Sequence, residues 1–392
     1  MPKAKINPKV LRWAVDNNHY SISEFSKKIN RPVDLIIKWT KGEDYPTYIQ
    51  LEKISYDILK LPIAVFFFPE PPVERITKEF RTLPDILINQ LSPYFIRLLR
   101  KSKSLQLKVI ELCDGKNPSS DFILDNFSFD NMQNIQEVCS KLRSFLEISI
   151  EEQFSWRNID IALKGWRNCI ESKGIFIFKD AFGDNNISGF SLYDEHFPII
   201  IINNSLSKSR QIFTIFHELA HIFFQTAGID SIDDSYIYDL SKENKNIEIY
   251  CNKFTSEFLV PSNNFYSLTR DTSVTEKNIT EIAEKYSVSR EVILRKYYDL
   301  DEINQDEYNY FSNKWNKEAA KYSKKRGMGG NYYLNKITYL GQNYLDLAFR
   351  KYYTNEISKY KLSEYLDIKV NNISSLELSL IHISEPTRPL YI

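Results

Sequence analysis

The chain is poor in glycine, cysteine, histidine and methionine, with 11, 4, 5 and 3 among 392 residues. Its cysteines, Cys113, Cys139, Cys169 and Cys251, are far apart and form no C-x-x-C pair. That excludes a disulfide scaffold and a cysteine-rich zinc module, and it fits a reducing compartment, so a cytoplasmic location is expected. Neither sign of charge is in excess, with 51 Lys plus Arg against 51 Asp plus Glu. Any contact with a polyanion must therefore come from a local patch. Apolar runs such as Pro62–Pro69 and Pro198–Ile202 fall far short of the roughly 20 residues of a membrane helix, and the N-terminus lacks a secretory signal. No membrane partner is expected. No P-loop, dinucleotide fingerprint or internal repeat stands out, and the histidines are too few for a Ser-His-Asp or Cys-His arrangement. What is present is enough to fill cores, 43% hydrophobic and 14% aromatic residues. The length suits two to three domains of ordinary size. The expected class is α+β, mostly α.

Residues 1–70 read as short helices with sharp punctuation. Ser21-x-x-Glu24 is a capping box opening a helix through Ile29. Asn30-Arg31 makes a turn, Pro32 suits the first turn of the next helix, and Gly42 ends it. Pro46-Thr47 opens a further helix with Ile49, Ile54, Ile58 and Leu59 as its apolar residues. Helix, tight turn, helix is the layout of a helix-turn-helix module. With Trp39, Gly42, Pro46 and Thr47, the block resembles the N-terminal domain of XRE-type, phage-repressor-like regulators. Double-stranded DNA is the partner this implies, through Arg31, Lys38 and Lys41. The surplus of cations over anions in the block is small, and units of this layout also serve as protein-docking domains. A Pro-rich hinge (Pro69, Pro71, Pro72, then Phe80–Pro84) leads to helical periodicity over 85–150, with Arg97, Arg100, Lys101, Lys103 and Lys108 as a solvated basic face.

The period then shortens. Gly174–Phe178, Ile187–Tyr193 and Phe197–Ile202 read as strands of a small sheet, the last an edge along which an extended substrate would lie. The chain is helical again from about residue 271, with a helix-turn-helix-like pair over Ile279–Tyr298 and a basic, glycine-containing linker at 324–330.

Between sheet and helices, Phe213–Phe224 reads FTIFHELAHIFF. On a helix, His217 and His221 stand one above the other and point at a common place, which suits two nitrogen ligands of Zn²⁺. Glu218 follows the first histidine and is placed to take a proton from a water beside the metal. Burying two histidines and a glutamate in so apolar a helix costs free energy unless they have partners. A third ligand should come from another helix. In EIYCNKFTSEFLVP, residues 248–261, Glu248 is the choice and Glu257 the alternative, the latter expected to be solvated. Cys251 reads as a small packing residue, Asp230, Asp233 and Asp234 as ordinary loop carboxylates, and Tyr250, Tyr266 and His196 as candidates for stabilising an oxyanion.

HELAH followed, 27 residues after His221, by ExxxNxFxxxxLxP resembles the ImmA/IrrE family of zinc metallo-endopeptidases, as do the strand PIIIIN and Arg210. The resemblance implies a gluzincin-like site with His217, His221 and Glu248 as metal ligands and Glu218 as general base. It further implies a protein substrate, a repressor or toxin/antitoxin-type partner that controls a mobile element or stress response. The competing reading is a DNA-binding transcriptional regulator or antitoxin-like protein whose metal site is structural or sensory. The expected domains are 1–70 (helix-turn-helix), 71–150 (helical connector), 151–270 (metallopeptidase) and 271–377 (helical C-terminal region). Residues 378–392 begin LSLIHISEPTR, which resembles translated sequencing adapter and reads as a non-native tail, so His382 is no ligand.

Overall fold

A computed structural model describes residues 2–18, 20–59, 61–72, 93–129, 133–183, 186–226, 229–231, 240–322 and 331–384. The Phe80–Pro84 segment, Asp233, Asp234, the 324–330 linker and residues 385–392 lie outside them. Two compact units divide within one helix, between Ser102 and Lys103.

In the first unit, α1 (Pro8–Asn17), α2 (Ile22–Ile29), α3 (Val33–Lys41) and α4 (Tyr48–Glu52) bury Val10, Leu11, Phe25, Ile36, Trp39 and Leu51. The Ser21–Glu24 capping box forms in both directions, at 3.2 and 2.9 Å. Asn30 ends α2 in the left-handed conformation (φ 54°), and Gly42 does the same for α3 (φ 76°). Helix α4 runs straight into a π-helical stretch, Lys53–Leu59. The sequence pattern placed Ile49 on the apolar face, yet it is 63% exposed, while Ile54 and Leu59 are buried. Ile49 lies in the α-helical turn before that stretch, where Leu51 takes the buried face and Ile49, about 200° round the helix from it, faces outward.

The second unit starts in the last turns of α5 (Pro93–Leu112) and continues through α6 (Ile135–Phe145), α7 (Ile150–Ser155) and α8 (Ile159–Ser172) to a four-stranded sheet. The strands are β1 (Phe176–Asp180), β2 (Ile187–Leu192), β3 (Ile199–Asn203) and β4 (Ile229–Ser231), in the order β1-β3-β2-β4. β1 and β3 are parallel, and the β2–β3 and β2–β4 pairs are antiparallel. The expectation of an edge strand at 197–202 is therefore corrected. β3 is internal, paired with β1 and β2, and its four consecutive isoleucines are buried on both faces. Between β3 and β4 comes α9 (Lys208–Phe223), and after β4 come α10 (Lys242–Leu259), α11 (Ser262–Thr269), α12 (Glu276–Tyr286), α13 (Arg290–Asp299) and α14 (Gln305–Tyr322). The fold is α+β and mostly α.

One face of the sheet, with Ile177, Ile200 and Ile202, shares a core with Trp166 of α8, Phe216 of α9 and Phe258 of α10. The other face meets the C-terminal helices α15 (Tyr332–Leu340) and α16 (Gln342–Tyr353), with Phe178 edge-on to Tyr344 at 5.3 Å between centroids. Gln106 of α5 donates to the carbonyls of Leu192 and Phe197 at 3.3 and 2.9 Å. Arg167 of α8 joins Glu171 (2.9 Å) to the Thr338 carbonyl (2.9 Å). Only glycine suits position 341 beside it: φ is 87° and a Cβ would come within 2.1 Å of the guanidinium.

Of the last helices, α17 (Lys359–Leu366) and α18 (Ile373–Ser384), the first repeats the capping pattern of α2. Ser358 caps α17 as Ser21 caps α2, and Asp367 ends it left-handed (φ 49°) as Asn30 does. The Ser363 hydroxyl donates to the Ile368 carbonyl, as Ser26 does to Arg31. Every correspondence has the same offset along the chain. Among the described residues, no helix is long and apolar enough to cross a membrane.

Lys179 on β1 is 6% exposed, with its ammonium 2.9 Å from Gln211 Oε1. Burial first, then repulsion from Arg167 and Lys208, lowers its pKa to about 7. A lysine of depressed pKa opposes folding while it is charged. From about pH 7 up to the ordinary lysine range the unfolded chain binds more protons, so stability rises with pH across that window. Lys179→Met is therefore expected to be more stable than wild type at pH 7, by on the order of 1 kcal/mol. The advantage should shrink toward pH 10 in parallel thermal melts.

Candidate metal site

The site is built on α9. Ser207 caps its N-terminus by accepting from the Arg210 amide at 3.3 Å, and the helix is buried continuously from Thr214 to Phe223. Phe216 packs on Phe258 at 4.5 Å and edge-on to Trp166 at 5.0 Å, which docks α10 and α8 on either side. The last carbonyls of α10, unpaired within any helix, accept from buried side chains. Arg143 of α6 donates to Phe258 O (3.0 and 2.7 Å) and Gln153 of α7 to Leu259 O (3.0 Å).

The docking brings together His217, His221 and Glu248, each no more than 1% exposed. His217 Nε2 is 3.2 Å from His221 Nε2 and 3.3 Å from Glu248 Oε2. His221 Nε2 is 3.4 Å from Glu248 Oε1. Ligands at ordinary zinc distances around a tetrahedral ion would stand about 3.4 Å apart. The three donors thus have the chemistry and the spacing of a possible metal site. Burial, the largest influence on each histidine, favours its neutral form. Neighbouring acidic groups overcome it: Asp230 and Glu248 raise the pKa of His217 above the usual value, and the Cys251 thiol and Glu248 raise that of His221 further. Burial opposes ionisation of Glu248 too, yet His221 and His217 hold it below the ordinary carboxylate range.

Glu218 is fully buried, and that burial raises its pKa. Its Oε2 accepts from Ser191 Oγ of β2 at 2.7 Å, while Oε1 has no hydrogen-bond partner. An orphaned carboxylate oxygen beside a converging donor set fits a place for a water and an ion. His217 Nδ1 has no partner either, whereas His221 Nδ1 faces Thr226 Oγ1 at 3.5 Å.

Several expectations change. Glu257 is not solvated, being 2.6 Å from Lys296 Nζ and accepting from the Ser262 amide at 2.9 Å. Asp230 is no ordinary loop carboxylate. It is 2% exposed on β4, 2.8 Å from Arg210 Nη2 and 2.9 Å from Thr214 Oγ1. Cys251 is buried within hydrogen-bonding reach of His221 and lies outside the three-donor cluster. Tyr250 gives its hydroxyl proton to the Gln133 carbonyl (3.2 Å), and Tyr266 and His196 are exposed. Arg31, Lys38 and Lys41 are exposed in the first unit. Ser191 and Thr214 carried no motif, and their only sequence signal is a polar side chain inside an apolar run.

A helix-borne histidine pair completed by a glutamate from a second helix is the donor arrangement of a metallopeptidase-type domain. Residues 170–298 match the family model Peptidase_M78, described as the IrrE N-terminal-like domain, which supports a function of that type. No curated protein matches the chain.

Proposed function

We propose that the chain is a zinc-dependent endopeptidase. The observation that carries this reading is the convergence of His217, His221 and Glu248 at 3.2–3.4 Å next to a buried Glu218. His217, His221 and Glu248 would hold the ion. When bound, Zn²⁺ supplies Lewis acidity toward the scissile carbonyl and the attacking water. Glu218 Oε1 takes the proton of that water and passes it to the leaving amine. The substrate follows from the resemblance: a regulatory protein, of the repressor or toxin/antitoxin type, met in the cytoplasm. The test is digestion of a proteome-derived peptide library read by mass spectrometry. Wild-type protein should cleave a defined set of peptides. EDTA should abolish cleavage and stoichiometric Zn²⁺ restore it, and cleavage that survives EDTA speaks against the proposal.

A second reading is favoured by the helix-turn-helix of the first unit, whose Arg31, Lys38 and Lys41 are all exposed. On this reading the chain contacts double-stranded DNA as a regulator, with the metal site structural or sensory. Its affinity should fall steeply between 50 and 200 mM salt, and Lys38→Ala should weaken binding to all sequences alike in a gel shift.

A further inference from the structure

Helix α9 and strand β2 meet along two rungs. Gly189 and Ser191 lie two apart on one face of the strand, and Thr214 and Glu218 lie one turn apart on one face of the helix. At the first rung the elements almost touch. A Cβ on Gly189 would fall 2.3 Å from Thr214 Cγ2 and 2.9 Å from the Ile201 carbonyl. That approach sets the second rung, where Ser191 Oγ, with no exposure, reaches Glu218 Oε2 at 2.7 Å. A glutamate carboxylate turns about a broad, nearly two-fold torsion. Left alone in an apolar site it would present either oxygen, or neither, to a water.

We propose that Ser191 is the positioning residue of Glu218: its hydroxyl occupies one carboxylate oxygen and thereby commits the other, Oε1, to proton transfer. The inference rests on the metallopeptidase reading and adds to it a residue from the sheet. Because Ser191 acts through Glu218, its removal matters only where Glu218 has a proton to accept. A role in packing alone would show in any background.

The probe is acetohydroxamate, titrated into Co²⁺-loaded protein and read by visible absorption. A hydroxamic acid that chelates a metal gives its proton to a neighbouring carboxylate, so its affinity reports where that carboxylate stands. Ser191→Ala should fold and bind one equivalent of Co²⁺, yet bind acetohydroxamate about tenfold more weakly. Ser191→Thr, which keeps the hydroxyl, should stay within about threefold, and Ser191→Ala should add nothing in a Glu218→Gln background. Wild-type affinity in Ser191→Ala, loss of Co²⁺ from it, or an undiminished effect in Glu218→Gln would each overturn the assignment. Failure of wild-type protein itself to take up Co²⁺ or acetohydroxamate overturns the metallopeptidase reading, and this inference with it.

Discussion

Glu218→Gln is expected to lose peptide hydrolysis by about 10²- to 10⁴-fold, the usual contribution of a general base, and to keep a full equivalent of metal. The two halves of this result have separate causes. The amide matches the carboxylate in shape, and its oxygen still accepts from Ser191 Oγ, now 2.7 Å from Oε2. The side chain therefore stays in place between α9 and β2. It can no longer take a proton. The proposed metal donors His217, His221 and Glu248 are untouched, since Glu218 belongs to none of the three close approaches among them. Folding should not suffer, because burial already disfavours the charged form of Glu218, and a neutral amide in the same cavity is no harder to bury. Library digestion beside metal analysis of the same preparation checks both halves. Retained cleavage would remove Glu218 as general base, and lost metal would mean that it supports the ligands instead.

How much of this was legible in the sequence follows from the range of each interaction. The histidine pair and Glu218 lie within five residues of a helix whose period fixes their directions, so HELAH alone placed them. Glu248 was accessible because its own helix carries a periodic apolar face. The capping box at Ser21 and the helix end at Gly42 were local as well. What failed was set by distant partners. Strand β3 gained neighbours on both sides, which its own residues do not encode. Asp230 became buried because Arg210 and Thr214, on another element, supply its hydrogen bonds. Ser191 matters through a helix that approaches only where Gly189 lacks a side chain. The likeness of residues 358–368 to residues 21–31 escaped notice because it is conformational. Caps, left-handed turns and one serine-to-carbonyl bond recur, while most side chains have changed.

Glu248→Ala should purify nearly free of metal, with affinity reduced at least about 100-fold, since losing a direct ligand costs no less than losing a supporting one. It should also bind what metal it can with a different pH dependence. In the metal-free wild-type protein, His221 is carried well above its ordinary pKa by Cys251 and Glu248, against burial. The free site therefore holds protons that a metal must displace, because only neutral imidazole ligates. Below the raised pKa the metal-bound form carries fewer protons than the free form. Wild-type affinity accordingly falls as the pH drops through neutrality, and calorimetric titration should register proton release on loading. Without Glu248, burial around His221 is opposed by Cys251 alone, and its pKa moves down. Residual affinity in Glu248→Ala should then change less steeply across the same range, with fewer protons released. Equal slopes in the two proteins would show that the carboxylate does not govern the histidines, and metal retained at full strength would move the third ligand to another residue.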